Sequence, residues 1–214
     1  MDQGKELFRG AESVIYLDRF DDQQALVKER IKKTYRINQI DDRLRKIRTK
    51  EEVKLLTEAR KIGVPTPKIL HVDYENHRII MEFLGGKRLK EFLMEADENT
   101  IKSTCFEIGK LVGKLHAAGI VHGDLTTSNM ILEKGQICFI DFGLGLFSKR
   151  IEDQGIDLNL LFEALRSTHF KILNISWENI LKGYRQEYKN AEQVLKKVKE
   201  IENRARYVER KAKR

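Results

Sequence analysis

The chain opens on short apolar runs broken by polar residues. Residues 7–30 read as strands, LFRGAESVIYL and then ALVKERI, on either side of a DDQQ turn. The pattern then changes. Residues 41–62 are charged and long-chained, with Val53, Leu56, Ala59 and Ile62 at intervals of three, which predicts a helix ended by Gly63. Pro65 and Pro67 hold the next stretch extended, because a residue before proline avoids helical geometry. ILHVDYENHRIIMEFL predicts two strands around a DYENH turn, and GGKRL a flexible crossing into the second half.

In the second half helical spacing dominates. Ile101, Cys105, Ile108, Val112 and Leu115 mark a helix that stops at Gly119. MILEKGQICFID predicts a tight hairpin turning at Lys134-Gly135. Further helices are expected from Asp157 in DLNLLFEALRS, around Leu181, and from about Asn190, the last carrying Val194, Val198, Ile201, Ala205 and Val208. The whole is an α+β chain in two lobes. Residues 1–84 form a β-rich N-terminal lobe with one helix, a hinge lies near 82–86, and residues 85–203 form a mainly helical C-terminal lobe. Residues 204–214 form a basic tail.

Composition narrows the classes. A hydrophobic share of 41% over 214 residues supports a real core. No apolar run approaches the roughly 18 residues of a membrane helix, and MDQGKELFRG lacks a signal-peptide core, so no membrane partner and a cytoplasmic location are expected. Cys105 and Cys138 sit in apolar surroundings without metal-type spacing and are expected to be buried free thiols. The net charge of +8 suggests an anionic partner. Residues 28–60 hold twelve basic against six acidic residues, as compatible with a solvated helix face as with a binding surface. The last eleven residues, RARYVERKAKR, hold six basic residues against one acidic, and a binding arm is the better reading there.

Four features recur in an order that chemistry can explain. Lys28 ends the apolar strand ALVK, where an inward lysine is costly unless it meets an anion; the alternative is a surface lysine at a strand end. Glu52 lies 24 residues later on the helix, where it could hold Lys28, although alone it reads as a solvated glutamate. HGDLTTSNM places Asp124 and Asn129 five positions apart, as a turn or as a catalytic loop. Asp141 ends the strand ICFID and precedes Phe142-Gly143. Phosphoryl transfer needs these groups together: a lysine on the non-transferred phosphates, an amide and a carboxylate on Mg²⁺, and a second carboxylate for the proton of the attacking hydroxyl.

Together these motifs resemble the protein-kinase superfamily over roughly residues 7–185. Within it the chain resembles the small atypical kinase/ATPase subunit of the KEOPS complex, the PRPK-type family. GAES (10–13), VKERIKKTYR (27–36), RTKEEVKLL (48–56), HGDLTTSNM, DFGLG (141–145) and EDQGIDLNLL followed by STH (152–169) carry the narrower match. The resemblance implies a bilobal protein-kinase-like fold with a reduced helical C-lobe, binding ATP and Mg²⁺. It implies Asp124 as proton acceptor, Asn129 and Asp141 as metal ligands, and Lys28 on phosphates paired with Glu52. Gly10, Ala11, Glu12 and Ser13 would form the nucleotide loop, and the backbone of Glu82 to Leu84 would bond adenine with Met81 behind it. Asp157 would be structural, capping a helix or holding the catalytic-loop backbone. The activity implied is a serine/threonine kinase and ATPase serving threonylcarbamoyladenosine modification of tRNA. Its partners would be the catalytic tRNA-modifying subunit and other KEOPS subunits. Arg204, Arg206, Arg210, Lys211, Lys213 and Arg214 would meet tRNA phosphates or the partner's active site.

The chain also departs from kinases. GAESVIY lacks G-x-G-x-x-G, Gly123 replaces the arginine before the catalytic aspartate, and Thr126 stands where a lysine is usual. No A-P-E motif is present, and only 71 residues follow Gly143. ATP binding and hydrolysis are therefore expected to survive better than transfer to a peptide. The alternatives are a RIO-type kinase of ribosome maturation, against which DFGLG argues, an aminoglycoside-type phosphotransferase, for which the C-lobe is too small, and a weakly active pseudokinase scaffold binding RNA and protein.

Overall fold

The computed structural model describes residues 4–212, and side chains as far as Arg204. The N-terminal part is an antiparallel sheet of β1 (Lys5–Arg9), β2 (Ser13–Phe20), β3 (Gln23–Arg30), β4 (Ile69–Asp73) and β5 (Arg78–Glu82), in the order β1-β2-β3-β5-β4. The turn between β2 and β3 is tighter than DDQQ suggests. Asp21 and Asp22 alone form it, with φ of 47° and 60°, and Gln23 already pairs with Phe20. Two successive positive φ values give the primed turn whose twist matches paired strands.

Helix α1 (Asn38–Lys61) begins three residues before the expected start and crosses behind the sheet. Glu52, Leu55, Leu56 and Ala59 lie on its buried face. Gly63 ends it at φ 79°, where Val64 N–H reaches the Ala59 carbonyl at 3.0 Å.

The GGKRL crossing is not flexible. Strand β6 (Lys87–Arg88) pairs with β8 (Met130–Glu133), and a Cβ on Gly86 would run into the Leu132 carbonyl, so only glycine allows this approach. A short helix that the pattern does not predict, α2 (Leu89–Glu95), follows, anchored by buried Leu89 and Leu93. Helix α3 (Glu98–Ala117) is capped by Asp97, whose carboxylate accepts from the N–H groups of Asn99 and Thr100. Strand β7 (Ile120–Val121) leads into the 122–129 loop and then into the β8–β9 hairpin, with β9 at Gln136–Phe139. Lys134 and Gly135 turn that hairpin at φ 49° and 81°, as expected. Strand β10 (Leu146–Phe147) pairs back on β7.

Helix α4 (Ile151–Thr168) begins six residues before Asp157, so Asp157 lies inside it and caps nothing. Helices α5 (Leu173–Glu187) and α6 (Ala191–Ala212) complete the C-terminal part. The expected basic arm continues α6 to Ala212; Lys213 and Arg214 lie outside the described residues. One apolar core runs from Leu55 and Leu56 of α1 through α3, α4 and α5 to Val194 and Val198 of α6. Each fully buried aliphatic or aromatic side chain there is worth about 1.5–3 kcal/mol. Both cysteines are free and buried. Among the described residues no helix is long and apolar enough to cross a membrane.

Candidate active site

Strand alternation puts Lys28 and Arg30 on the same face of β3, turned toward α1. Both are nearly inaccessible, at 5% and 4%. Glu52, 1% exposed on α1, answers both charges. Lys28 Nζ donates to its Oε1 at 2.6 Å, and Arg30 Nη2 to its Oε2 at 2.5 Å. Lys28 Nζ also donates to Asp141 Oδ1 at 2.6 Å. Burial alone would lower the ammonium's pKa, but Glu52 and Asp141 more than offset it and hold the group above its ordinary value. Asp141 behaves as the mirror image: burial pushes it up, and Lys28 pulls it below the usual carboxylate range.

Asp141 sits at φ 61°, a left-handed conformation uncommon outside glycine. The Gly143 N–H donates to its Oδ1 at 3.2 Å, and Phe142 packs beneath, its ring 4.4 Å from that of His122. The strained backbone thus turns the carboxylate toward the cavity while the next side chain locks into the core.

The loop at 122–129 is held from below by Asp157. Its carboxylate accepts from the N–H groups of His122 at 2.8 Å and Gly123 at 2.9 Å, and meets His116 Nε2 at 3.2 Å. This is the backbone-holding role, not the helix cap. Burial raises the Asp157 pKa, yet the bonds from His116 and the charges nearby leave it below the ordinary range. Gly123 takes φ 81°, and a Cβ there would strike the Leu144 carbonyl, so an arginine cannot occupy this position in this backbone. Gly123→Ala is expected to lower stability by about 2 kcal/mol, from the left-handed penalty and the clash, measurable by chemical denaturation.

Within the loop, Asn129 Nδ2 donates to the Asp124 carbonyl at 2.9 Å and to its Oδ2 at 2.8 Å. This fixes the amide so that its Oδ1, unbonded among the described residues, remains available as a ligand. The Thr127 hydroxyl is 3.1 Å from Nε2 of buried His169, which ties the loop to the end of α4.

These groups border one cavity of about 720 Å³ between the sheet and the helices. Of the residues singled out in the sequence, Lys28, Glu52, Met81, Glu82, Leu84, Asp124, Asn129 and Asp141 line it. The Leu84 N–H has no main-chain partner among the described residues. Gly10, Ala11, Glu12 and Ser13 do not border the cavity; Leu7, Phe8 and Ile15 of the flanking strands do. The 10–13 loop is drawn toward α1 instead, with Glu12 bound by Arg48 and the Ala11 carbonyl by Lys33.

The tail residues do not approach the cavity as far as they are described. Arg204 lies 3.8 Å from Glu152 and 4.0 Å from Glu200, so this cation of the tail has acidic partners on the protein itself. The side chains of Arg206, Arg210 and Lys211, and all of Lys213 and Arg214, lie outside the described residues. Arg30 is a buried cation of this cluster that the motifs do not single out. Its one sequence signal is the K-x-R spacing on a strand, which places both cations on one face.

The RIO domain family matches residues 15–146. The KEOPS complex subunit Bud32 of Pyrococcus abyssi is 48% identical over 96% of this chain and 97% of its own length. The probable bifunctional tRNA threonylcarbamoyladenosine biosynthesis proteins of Methanobrevibacter smithii and Methanosarcina mazei are 44% and 42% identical over 93% and 97% of this chain, which spans only 36% of their length. Among solved structures, WaaP in complex with acyl carrier protein superposes with a TM-score of 0.68 at 15% identity, over 99% of this chain and 88% of that one. The Rio2 kinase of Chaetomium thermophilum, in an ADP/Mg²⁺-phosphoaspartate complex, gives 0.64 at 13% identity, over 100% and 72%. These two likenesses establish the fold, bilobal and kinase-like. The RIO match also corrects the contrast drawn from DFGLG, because that motif does not set the chain apart from the RIO fold. The chain belongs to the RIO domain family and to the family of the KEOPS subunit Bud32.

Proposed function

We propose that this protein is an atypical Mg²⁺-ATP-dependent kinase and ATPase, acting on serine or threonine. Its setting is a KEOPS complex that makes threonylcarbamoyladenosine on tRNA, where it regulates the catalytic tRNA-modifying subunit. The single observation that supports this best is the convergence of Lys28, Glu52, Asp124, Asn129 and Asp141 on one cavity from separate segments of the chain. The full-length likeness to the Pyrococcus abyssi subunit favours the tRNA setting over ribosome maturation.

The donor set suits Mg²⁺, a hard cation that takes oxygen ligands and keeps several waters: a half-exposed carboxylate on Asp141 and the unused Oδ1 of Asn129. When bound, Mg²⁺ would neutralise charge on the phosphate oxygens. The chain's own residues do the rest. Asp124, held by the Asn129 amide, accepts the proton of the attacking hydroxyl or water. Lys28 shifts its ammonium from Asp141 to the phosphates while Glu52 keeps it in reach. The main chain at Glu82–Leu84 offers adenine its edge, with Met81 at the back. In this reading residues 1–84 and 85–203 are the two lobes. The basic tail, residues 204–214, meets tRNA or the partner's active site.

The test is ATP hydrolysis measured alone, with tRNA, and with the catalytic partner subunit. Stimulation only in their presence supports a complex-bound switch; a fast, unaided peptide kinase contradicts it. Deleting residues 204–214 is expected to weaken tRNA binding while leaving ATP affinity unchanged. The slope of log affinity against log salt should become shallower by up to ~0.9 for each duplex phosphate that the shortened chain no longer neutralises. Identical salt titrations for the two proteins refute the role of the tail.

A further inference from the structure

The geometry points to Arg30 as a positioning residue of the phosphoryl-transfer site, acting through Glu52. This rests on the proposed activity and adds a residue to it. Lys28 bonds two carboxylates, Glu52 and Asp141, each at 2.6 Å. To reach a phosphate it gives up Asp141 and stays with Glu52, so the aim of the ammonium depends on how Glu52 is held. Arg30 holds it. Its Nη2 takes the second carboxylate oxygen at 2.5 Å, which leaves Oε1 turned toward Lys28. Without that bond a carboxylate that is 1% exposed would keep a single countercharge and be free to turn, and an under-compensated buried charge is costly enough to become protonated or to move.

Two further contacts place the guanidinium where that function needs it. Arg30 Nη2 lies 3.3 Å from where a Cβ of Gly143 would stand, beside Lys28 Nζ at 3.3 Å and Asp141 Oδ1 at 3.0 Å from the same point. It therefore packs against the turn that carries Asp141. On its other side Nη1 lies 3.9 Å from Glu12, which Arg48 of α1 also binds. One planar fork thus joins β3, α1 and the 10–13 loop, a geometry a lysine cannot reproduce. Its Nε is buried with no partner among the described residues, and the side chain borders a space of about 10 Å³, room for roughly one water. The side chain is placed to serve its neighbours with its own bonding incomplete.

The experiment is a double-mutant cycle on the full chain across Arg30→Met and Glu52→Gln. ATP turnover and Mg-ADP affinity are both read, and thermal unfolding confirms that each protein is folded. If Arg30 acts through the Glu52 charge, each single change lowers turnover at least 10-fold, chiefly in kcat, and the double variant is no worse than Glu52→Gln alone. Arg30→Lys, which keeps the charge but loses the fork, serves if Arg30→Met does not fold, and is expected to lose turnover about 10-fold. Losses that multiply, or an Arg30 variant with undiminished turnover, overturn the inference. The Mg-ADP affinities should show the same non-additivity, and they separate the two ideas. No turnover even in the unaltered protein contradicts the proposed activity, whereas additive affinities contradict the role of Arg30.

Discussion

Asp141→Ala is expected to abolish Mg²⁺-dependent ATP turnover, by on the order of 10³-fold or more. In the proposed reading Asp141 and Asn129 hold the cation next to Asp124, and Asp141 is the charged one of the pair. A bound metal supplies several kcal/mol of charge stabilisation to the transition state, and about 1.4 kcal/mol is a factor of ten. The fold should survive, because the carboxylate is half exposed and Lys28 keeps Glu52. Alanine does meet a backbone at φ 61°, which costs roughly 1–2 kcal/mol. Asp141→Asn is the cleaner partner, since asparagine tolerates this conformation and keeps the shape while removing the charge. Steady-state hydrolysis over a magnesium titration, with circular dichroism as the control for folding, checks both variants. Turnover equal to the unaltered protein in either would remove the metal role.

Asp157→Ala should act through stability, at the opposite end of the same loop. The change strips three donors at once, the N–H groups of His122 and Gly123 and the ring of His116, all gathered around a carboxylate that is 1% exposed. Breaking such a buried group costs about 3–5 kcal/mol. For a chain of this size that is a fall in Tm of roughly 10 °C. His116 also bonds the Tyr184 hydroxyl at 2.8 Å, so the damage spreads to α5. The pH dependence has a definite sign. Because the Asp157 pKa is depressed in the folded protein, its contribution is complete at neutral pH and is lost as pH falls through that depressed value. The variant should therefore lose less stability on acidification than the unaltered protein. Calorimetry at neutral and acid pH measures both effects. An unchanged Tm would mean that the loop does not depend on this carboxylate.

What can be seen in the sequence follows from how locally it is determined. Two of the predicted strand pairs show how neighbouring residues set a hairpin: Lys134-Gly135 takes two positive φ values, and the DYENH turn separates clearly apolar strands. The helix of Ile101, Cys105, Ile108 and Leu115 shows its buried face in its spacing. Elements fixed by contacts from elsewhere stay hidden. GGKRL looks flexible because Gly86 is explained only by the Leu132 carbonyl it passes. Helix α2 has seven residues, too few for a period to register. The start of α4 is obscured by Gly155 and the polar EDQ that precedes it.

The candidate site divides in the same way. Lys28, Asp124, Asn129 and Asp141 stand in motifs whose spacing carries their chemistry, and they meet at one cavity. The Arg30–Glu52 and Glu12–Arg48 pairs join residues 22 and 36 positions apart. No periodicity records such a pairing. The 10–13 loop shows the limit of motif reading, since its residues turn toward α1 and away from the space they were expected to cover.

The most direct measurement is a crystal structure of this chain with Mg²⁺ and a non-hydrolysable ATP analogue. The account predicts Asn129 Oδ1 and an Asp141 carboxylate oxygen at ~2.0–2.1 Å from a cation that bridges the phosphates. Lys28 should have moved from Asp141 onto a phosphate oxygen, with Glu52 still bonded to Arg30. A nucleotide seated outside the cavity, or a cation held by neither Asn129 nor Asp141, would contradict it.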